Sequence, residues 1–371
     1  MYKMKIIHIV RQFYPCIGGV ENFVLNLARQ QIESGHEVSV VTLNRNFVDG
    51  TVLDDKEVVD GIKINRIPFM GSKKYPLAFS CLKYLKGVDI VHIHCVDFFI
   101  DCLAFAKIFH RKKIVLHTHG GFFHTKWMLT LKKIFFHIVT RLAFTQVDAV
   151  IACSRSDYDM FKPLTKKLYL VYNGVDVERF SSVELSLVPE RMLYVGRIDA
   201  HKRIDNLIRI LAELRKLGKK VTLSIVGPDW IGLRDDLERL AEKLGVLEYV
   251  YFIGRVSDEE MLNEVSKAYV FVSASEYEGF GISVVEAMSA GLPCVINDIV
   301  PFRTFEKKAN GACVITDFSN LIETSKKISD FFGYSKEKYL EFSAMAQKMS
   351  KEFSWPTVAS KIENIYTCIK E

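Results

Sequence analysis

The sequence predicts an α/β fold of two doubly wound, mostly parallel domains in series, and three observations predict it. Short apolar runs alternate with helical patterns along nearly the whole chain, the alternation breaks once near residue 173, and 371 residues suit two domains rather than one. Hydrophobic residues make up 49% and charged residues 25%, so both halves can bury a core and disorder is excluded.

Lys5-Ile-Ile-His-Ile-Val10 reads as a strand, and its loop carries Pro15, Gly18 and Gly19 before a helical pattern through Val24, Leu27, Ala28 and Ile32. Further strands are expected at Val38 to Leu43, Ile62 to Ile67, Ile90 to Cys95, Ile114 to Thr118 and Val147 to Cys153. The break at Asn173-Gly174-Val175-Asp176, with the aperiodic stretch Glu178 to Arg191, reads as a linker. Strands then resume at Met192 to Gly196, Val221 to Val226, Val250 to Ile253, Val270 to Ser273 and Pro293 to Ile296, with helices at Asp205 to Leu217, Leu233 to Leu244, Asp258 to Lys267 and Ser283 to Ala290. Domain limits of 1–175 and 176–352 follow. In the remaining segment, 353–371, Ser354-Trp355-Pro356 starts a helix whose stripe of Val358, Ile362, Ile365, Tyr366 and Ile369 needs a partner, expected on the N-terminal domain.

No apolar stretch reaches the roughly 18 to 20 residues needed to cross a bilayer, and the first ten residues are too short for a secretory signal, so the expected location is the cytoplasm. The eight cysteines are scattered without a C-x-x-C pair and read as reduced, packed thiols. The net charge of +6 is unevenly spread: residues 1–175 hold 24 basic and 14 acidic side chains, the remainder 26 and 30. The N-terminal half should therefore face something anionic.

Ligands of open α/β sheets bind at the carboxyl ends of the strands, so the informative residues are sought in those loops. Gly18-Gly19 before a helix can present N–H groups to a phosphate, although such a pair also serves as a plain tight turn, and it is not the G-x-G-x-x-G fingerprint of a nicotinamide or flavin site. Gly196-Arg197 with Lys202 has the spacing of an anion clamp, or of two solvated surface charges. In Glu276-Tyr-Glu278-Gly-Phe-Gly281-Ile-Ser-Val-Val-Glu286 a loop becomes an apolar helix near Ile282, which leaves Glu278 in the loop and Glu286 on the helix flank. Carboxylates accept hydrogen bonds from sugar hydroxyls, and Gly279 and Gly281 let backbone approach a ligand.

Together, Gly18-Gly19, Thr118-His119-Gly120, Asn173-Gly174-Val175-Asp176, Gly196-Arg197 with Lys202, and Glu278 with seven residues before Glu286 resemble, in order, the retaining GT-B glycosyltransferases of family GT4. Val10-Arg-Gln-Phe-Tyr-Pro15 with Gly18-Gly19-Val-Glu21 is similar to the α-mannosyltransferases of xanthan- and acetan-type exopolysaccharide assembly. The resemblance implies an N-terminal acceptor domain and a C-terminal nucleotide-sugar domain across a cleft. It implies that Arg197 and Lys202 hold the donor diphosphate, Glu286 the ribose and Glu278 the transferred sugar, that Gly279, Phe280, Gly281 and Ile282 line the donor, and that Arg255-Val256 borders the base. His119 matches the active-site histidine. The donor would be a GDP- or UDP-linked sugar, best matched by GDP-mannose, and the acceptor a polyprenyl-diphosphate-linked oligosaccharide. UDP-linked glucose, N-acetylglucosamine or galactose remain alternatives.

His92 and His94, like His117 and His119, form H-x-H pairs that resemble a metal site, but neither run supplies a third ligand nearby, and the resemblance implies an enzyme without metal or other cofactor. Ser154 lacks the G-x-S-x-G elbow of a hydrolase. Between Asp101 and Asp148 lie Lys107, Arg111, Lys112, Lys113, Lys126, Lys132, Lys133 and Arg141 without one acidic residue, interleaved with Phe109, Trp127 and other aromatic residues. This suits a peripheral face on the anionic inner membrane, or an amphipathic helix on the core; nucleic acid is disfavoured because no binding motif accompanies the patch. A non-catalytic binding protein and a Rossmann-type oxidoreductase are the readings from other classes.

Overall fold

The computed structural model describes residues 3–16, 18–119 and 139–371. It forms two units, Met1–Gly174 with Trp355–Glu371, and Val175–Ser354.

The first unit is built on strands β1 (Lys5–Ile9), β2 (Glu37–Leu43), β3 (Lys56–Val59), β4 (Ile62–Ile67), β7 (Ile90–His94), β8 (Lys113–His117), β9 (Ala149–Ala152) and β10 (Leu168–Leu170), with β5 (Met70–Ser72) and β6 (Tyr75–Leu77) as a separate hairpin. Their order is β10-β9-β8-β7-β1-β2-β4-β3, parallel throughout except for β3. Alternate residues of each strand face opposite sides, and both sides are covered, which is why the central strands read as continuous apolar runs. Ile7, Ile9, Val91, Ile93 and Leu116 pack with Phe99, Leu103 and Phe144 on one side. On the other, Ile6, Ile90 and Val115 meet Phe23 and Leu27 of the helix Gly19–Glu33 and Val358, Ile362 and Tyr366 of the C-terminal helix Trp355–Lys370, which gives that helix's stripe its partner within this unit. Backbone at Gly174 lies so close to Trp355 that a Cβ would enter the indole.

The second unit has a fully parallel sheet of β11 (Arg191–Val195), β12 (Thr222–Val226), β13 (Val250–Gly254), β14 (Val270–Ser273), β15 (Cys294–Asn297) and β16 (Cys313–Thr316) in the order β13-β12-β11-β14-β15-β16. The helix Ile204–Lys216 buries Ile204, Leu207, Ile208 and Leu211 at helical spacing against Tyr194, Leu223 and Ile225. Residues 175–190, read from the sequence as linker, belong to this unit: Val175 pairs with Ser354, and the short helix Val177–Ser181 buries Val177 and Phe180. Strand β16 and the helices Arg303–Ala309, Leu321–Phe332 and Lys336–Ser350 complete it.

Candidate donor and histidine sites

In the second sheet the strand order reverses between β11 and β14, so the loops leaving these strands diverge and open a crevice at their carboxyl ends. The loop after β11 carries Gly196, Arg197 and Lys202; the loop after β14 carries Ser275, Glu276, Glu278, Gly279 and Gly281. A Cβ on Gly227 would overlap the Gly196 carbonyl, so the turn bearing Arg197 needs glycine at the end of β12. The two loops are tied together. Glu276 N–H donates to the His201 carbonyl at 2.9 Å, and Arg203, at a left-handed φ of 50°, grips Asp205 at 3.0 and 3.1 Å and also bonds Glu276.

Lys202 Nζ lies 2.6 Å from Glu278 Oε1, with the two side chains only 11% and 18% exposed, and the Ser275 hydroxyl donates to the same oxygen at 3.0 Å. Arg197 is exposed, sits 5.4 Å over the Trp230 ring and has no carboxylate partner among the described residues. The rim thus offers one spare cation and one ammonium held by a carboxylate, so an arriving diphosphate can take Lys202 and release Glu278 toward sugar hydroxyls. The helix Ile282–Ser289 begins at Gly281, whose φ of 105° and contact with Phe302 exclude a Cβ. Ile282 is exposed in the first turn of that helix, and Glu286 is half-buried one turn further on. Desolvation raises the Glu286 carboxyl to about 7, opposed by the Arg179 guanidinium, while Arg179 itself pairs with Asp258 at 3.0 Å. Arg255 is exposed and Val256 half-buried just past β13, the sheet's edge strand. Phe280 is corrected: its ring is buried against Phe305 and Phe353, so its side chain is a packing group and does not line the donor crevice.

If Glu286 binds a ribose as the ionised acceptor, affinity must fall as protons compete for it. A nucleotide diphosphate is expected to bind about fourfold more weakly at about pH 6.5 than at about pH 8, and Glu286→Gln should flatten that profile. Isothermal titration across this range checks it.

In the first unit the reversal falls between β1 and β7. Arg11 Nε lies 3.1 Å from Asp97, whose carboxyl burial raises to about 7 against the pull of Arg11. A cavity of about 170 Å³ here is lined by Arg11, Gln12, Val20, Glu21, Phe47 and Cys95. Gly18 caps and Gly19 opens the helix Gly19–Glu33, but a Cβ on Gly18 would collide with the Glu21 carboxylate, so this helix end already holds an anion of its own.

His119 lies two residues past β8 with a left-handed φ of 54°, a strained conformation for a side chain of this size. The expectation that neither H-x-H run has a third histidine nearby is wrong. Parallel pairing sets His8 beside His92 and His94 beside His117, and the period of two puts all of these rings and His119 on one face. Among the described residues two sets, His8 with His92 and His94, and His94 with His117 and His119, bring ring nitrogens within 4.8 Å. The nitrogens of His8, His94 and His119 that face one another are engaged in hydrogen bonds, and desolvation holds the pKa of His8 at about 4 and of His119 at about 3. The layer is therefore one of neutral rings. Local sequence showed the H-x-H pairs, whereas the strand register that joins them is a long-range property.

Of the basic segment, Gly120, Lys126, Trp127, Lys132 and Lys133 lie outside the described residues. Lys107 is corrected: its ammonium is held by Asp148 at 2.5 Å and the Gln146 carbonyl at 2.6 Å, so it presents no free charge. Arg111 is exposed, Lys112 and Lys113 are half-buried, and Ile108 and Phe109 beside them are 74% and 87% exposed. No helix among the described residues is long and apolar enough to cross a membrane.

Residues 17–179 match the family model Glycosyltransferase Family 4, and residues 178–349 match Glycosyl transferases group 1. The GDP-mannose:cellobiosyl-diphosphopolyprenol alpha-mannosyltransferase of Komagataeibacter xylinus is 34% identical over 366 residues, 98% of this chain and 93% of its own. A protein of the same description from Xanthomonas campestris is 38% identical over 319 residues, 85% of this chain and 84% of its own. Among solved structures, Anabaena Alr3699/HepE in complex with UDP superposes with a TM-score of 0.74 at 18% identity, covering 98% of this chain and 100% of that one. Sucrose-phosphate synthase of Thermosynechococcus elongatus gives 0.71 at 17%, covering 99% of each. At these identities the structural likeness establishes the fold, GT-B.

Proposed function

Since the chain belongs to glycosyltransferase family 4 and is a glycosyltransferase, we propose that it moves mannose from GDP-mannose, with retention of configuration, onto a polyprenyl-diphosphate-linked oligosaccharide in exopolysaccharide assembly. The observation that carries the transfer chemistry is the rim where Lys202 holds Glu278 at 2.6 Å, on the same loop as Arg197, which has no carboxylate partner among the described residues. The leaving diphosphate gains charge as the anomeric bond breaks, and two fixed cations stabilise that charge without a metal ion. Glu278, freed by the diphosphate, holds the transferred sugar; Glu286 holds the ribose. His119, neutral, contributes a hydrogen bond to the sugar. The choice of guanine and mannose rests on the relatives' names.

Incubation with a polyprenyl-diphosphate oligosaccharide should yield an α-mannosylated lipid product from GDP-mannose. Turnover of UDP-glucose, UDP-N-acetylglucosamine or UDP-galactose, with none of GDP-mannose, would overturn the donor assignment. A two-domain binding protein without catalysis would transfer nothing.

The acceptor's lipid places the reaction at the inner face of the cell membrane. Exposed Ile108 and Phe109 next to Arg111 and Lys112 combine apolar side chains with cations, as an interfacial surface requires. Arg111→Glu with Lys112→Glu is expected to weaken binding to phosphatidylglycerol vesicles by at least roughly thirtyfold, at about 1 kcal/mol for each cation lost. Equal co-sedimentation of the variant would remove this face from the reading.

A further inference from the structure

The histidine layer contains a continuous line of hydrogen bonds that begins on the helix Gly19–Glu33 and ends at His119. Gln31, fully buried, has its Oε1 2.7 Å from His8 Nε2; His8 Nδ1 is 2.9 Å from His94 Nε2; His94 Nδ1 is 2.9 Å from His119 Nε2. A neutral imidazole donates through one nitrogen and accepts through the other. The three rings must therefore share one direction, and reversing any ring would oppose two donors or two lone pairs in a dry core. The placement of the Gln31 amide sets the direction, with Oε1 toward His8 Nε2 and Nε2 toward the Tyr366 hydroxyl at 3.2 Å, and that hydroxyl in turn lies 2.6 Å from His92 Nδ1.

We propose that Gln31, through His8 and His94, fixes the proton of His119 on Nε2 and leaves His119 Nδ1 as a hydrogen-bond acceptor. Oε1 accepts from His8 Nε2–H, His8 Nδ1 from His94 Nε2–H, and His94 Nδ1 from His119 Nε2–H. His119 Nδ1 has no hydrogen bond among the described residues. It suits a sugar hydroxyl that donates, and it cannot donate to a phosphate or carbonyl oxygen. Gln31, His8 and His94 are thus positioning residues for a hydrogen bond to the sugar, and this consequence rests on the placement of His119 in the active site proposed above. The left-handed backbone at His119 turns the ring back along its strand face, onto His117 at a centroid distance of 4.3 Å.

Long-range proton–nitrogen NMR of the full chain labelled with ¹⁵N-histidine reads the tautomers directly. His8, His94 and His119 are all expected as Nε2–H. An Nδ1–H form at His119, or mixed forms along the line, would overturn the inference whatever the activity. Gln31→Leu keeps the volume and removes the acceptor; it should give mixed tautomers at His119 and lower kcat by ~10-fold with KM for the sugar nucleotide unchanged. The same tautomer and kcat as the parent would also overturn it. His119→Ala with full turnover would instead sink the catalytic placement while leaving the tautomer assignment standing, so the two failures are distinguishable.

Discussion

Lys202→Met is expected to lower the transfer rate by ~100- to 1,000-fold, the loss seen when one preorganised charge-stabilising donor is removed from a site that excludes water. The side chain is nearly isosteric, and Lys202 lies in a short turn anchored by its own backbone bond to Asp199, so the second unit should keep its fold. The variant also leaves Glu278 without its ammonium. In the parent that pair cancels one negative charge on the rim; in the variant an uncompensated carboxylate faces the incoming diphosphate, so nucleotide affinity should fall with kcat. Glu278→Gln in the Lys202→Met background should then recover part of the affinity but not the rate. Arg197→Ala separates the two effects, because its guanidinium has no carboxylate partner among the described residues and its removal leaves no buried charge behind. Its melting temperature should match the parent while turnover falls by a similar factor. Steady-state kinetics with GDP-mannose and calorimetric GDP binding check both variants, and a Lys202→Met enzyme within about threefold of the parent would refute the clamp.

The parts of this architecture that were legible in the sequence are those fixed by local pattern. Apolar runs marked the central strands of both sheets, and Gly281-Ile282 marked the start of the helix carrying Glu286 because a glycine-bearing loop gives way there to an apolar run, and that glycine takes a left-handed φ in the structure. Parts set by distant pairing were not legible. Strand β16, Cys313-Val-Ile-Thr316, is too short to show a period, and β3 is an edge strand whose half-exposed residues alternate weakly. Asp148 neutralises Lys107 from 41 residues away, so a count of charges along the segment overstated its free cations. Phe280 stood inside a motif of ligand-facing residues but points into the aromatic packing of Phe305 and Phe353. The histidines show the same limit most clearly: spacing gave two pairs, and only the register of three adjacent strands makes them a layer.

That layer should make the first unit sensitive to acid. His8, His92, His94 and His117 are fully buried, and desolvation holds the pKa of each below the ordinary value of about 6.5. Above about pH 6.5 they are neutral folded or unfolded and cost nothing; below it the unfolded chain takes up protons that the native state refuses, so stability falls as pH falls. By about pH 5.5 each ring costs about 1.4 kcal/mol, nearly 6 kcal/mol for the four. Asp97, raised to about 7, and Asp101, raised to about 6, act in the opposite direction and return about 3 kcal/mol over the same range. The remaining loss, about 3 kcal/mol, is a large share of the 5 to 15 kcal/mol that holds a typical domain. Urea denaturation followed by circular dichroism should show the midpoint dropping steeply from about pH 7 to about pH 5.5. His117 is the ring to change, because neither of its nitrogens has a hydrogen-bond partner among the described residues, and it stacks on His92 at 5.5 Å and meets Phe23 edge-on at 4.6 Å. His117→Phe keeps the aromatic packing and removes both the unpaired polar atoms and one refused proton, so it should raise stability at neutral pH by about 1 to 3 kcal/mol and by about 1 kcal/mol more at about pH 5.5. A variant that gains nothing on acidification would show that the ring is not held neutral by burial.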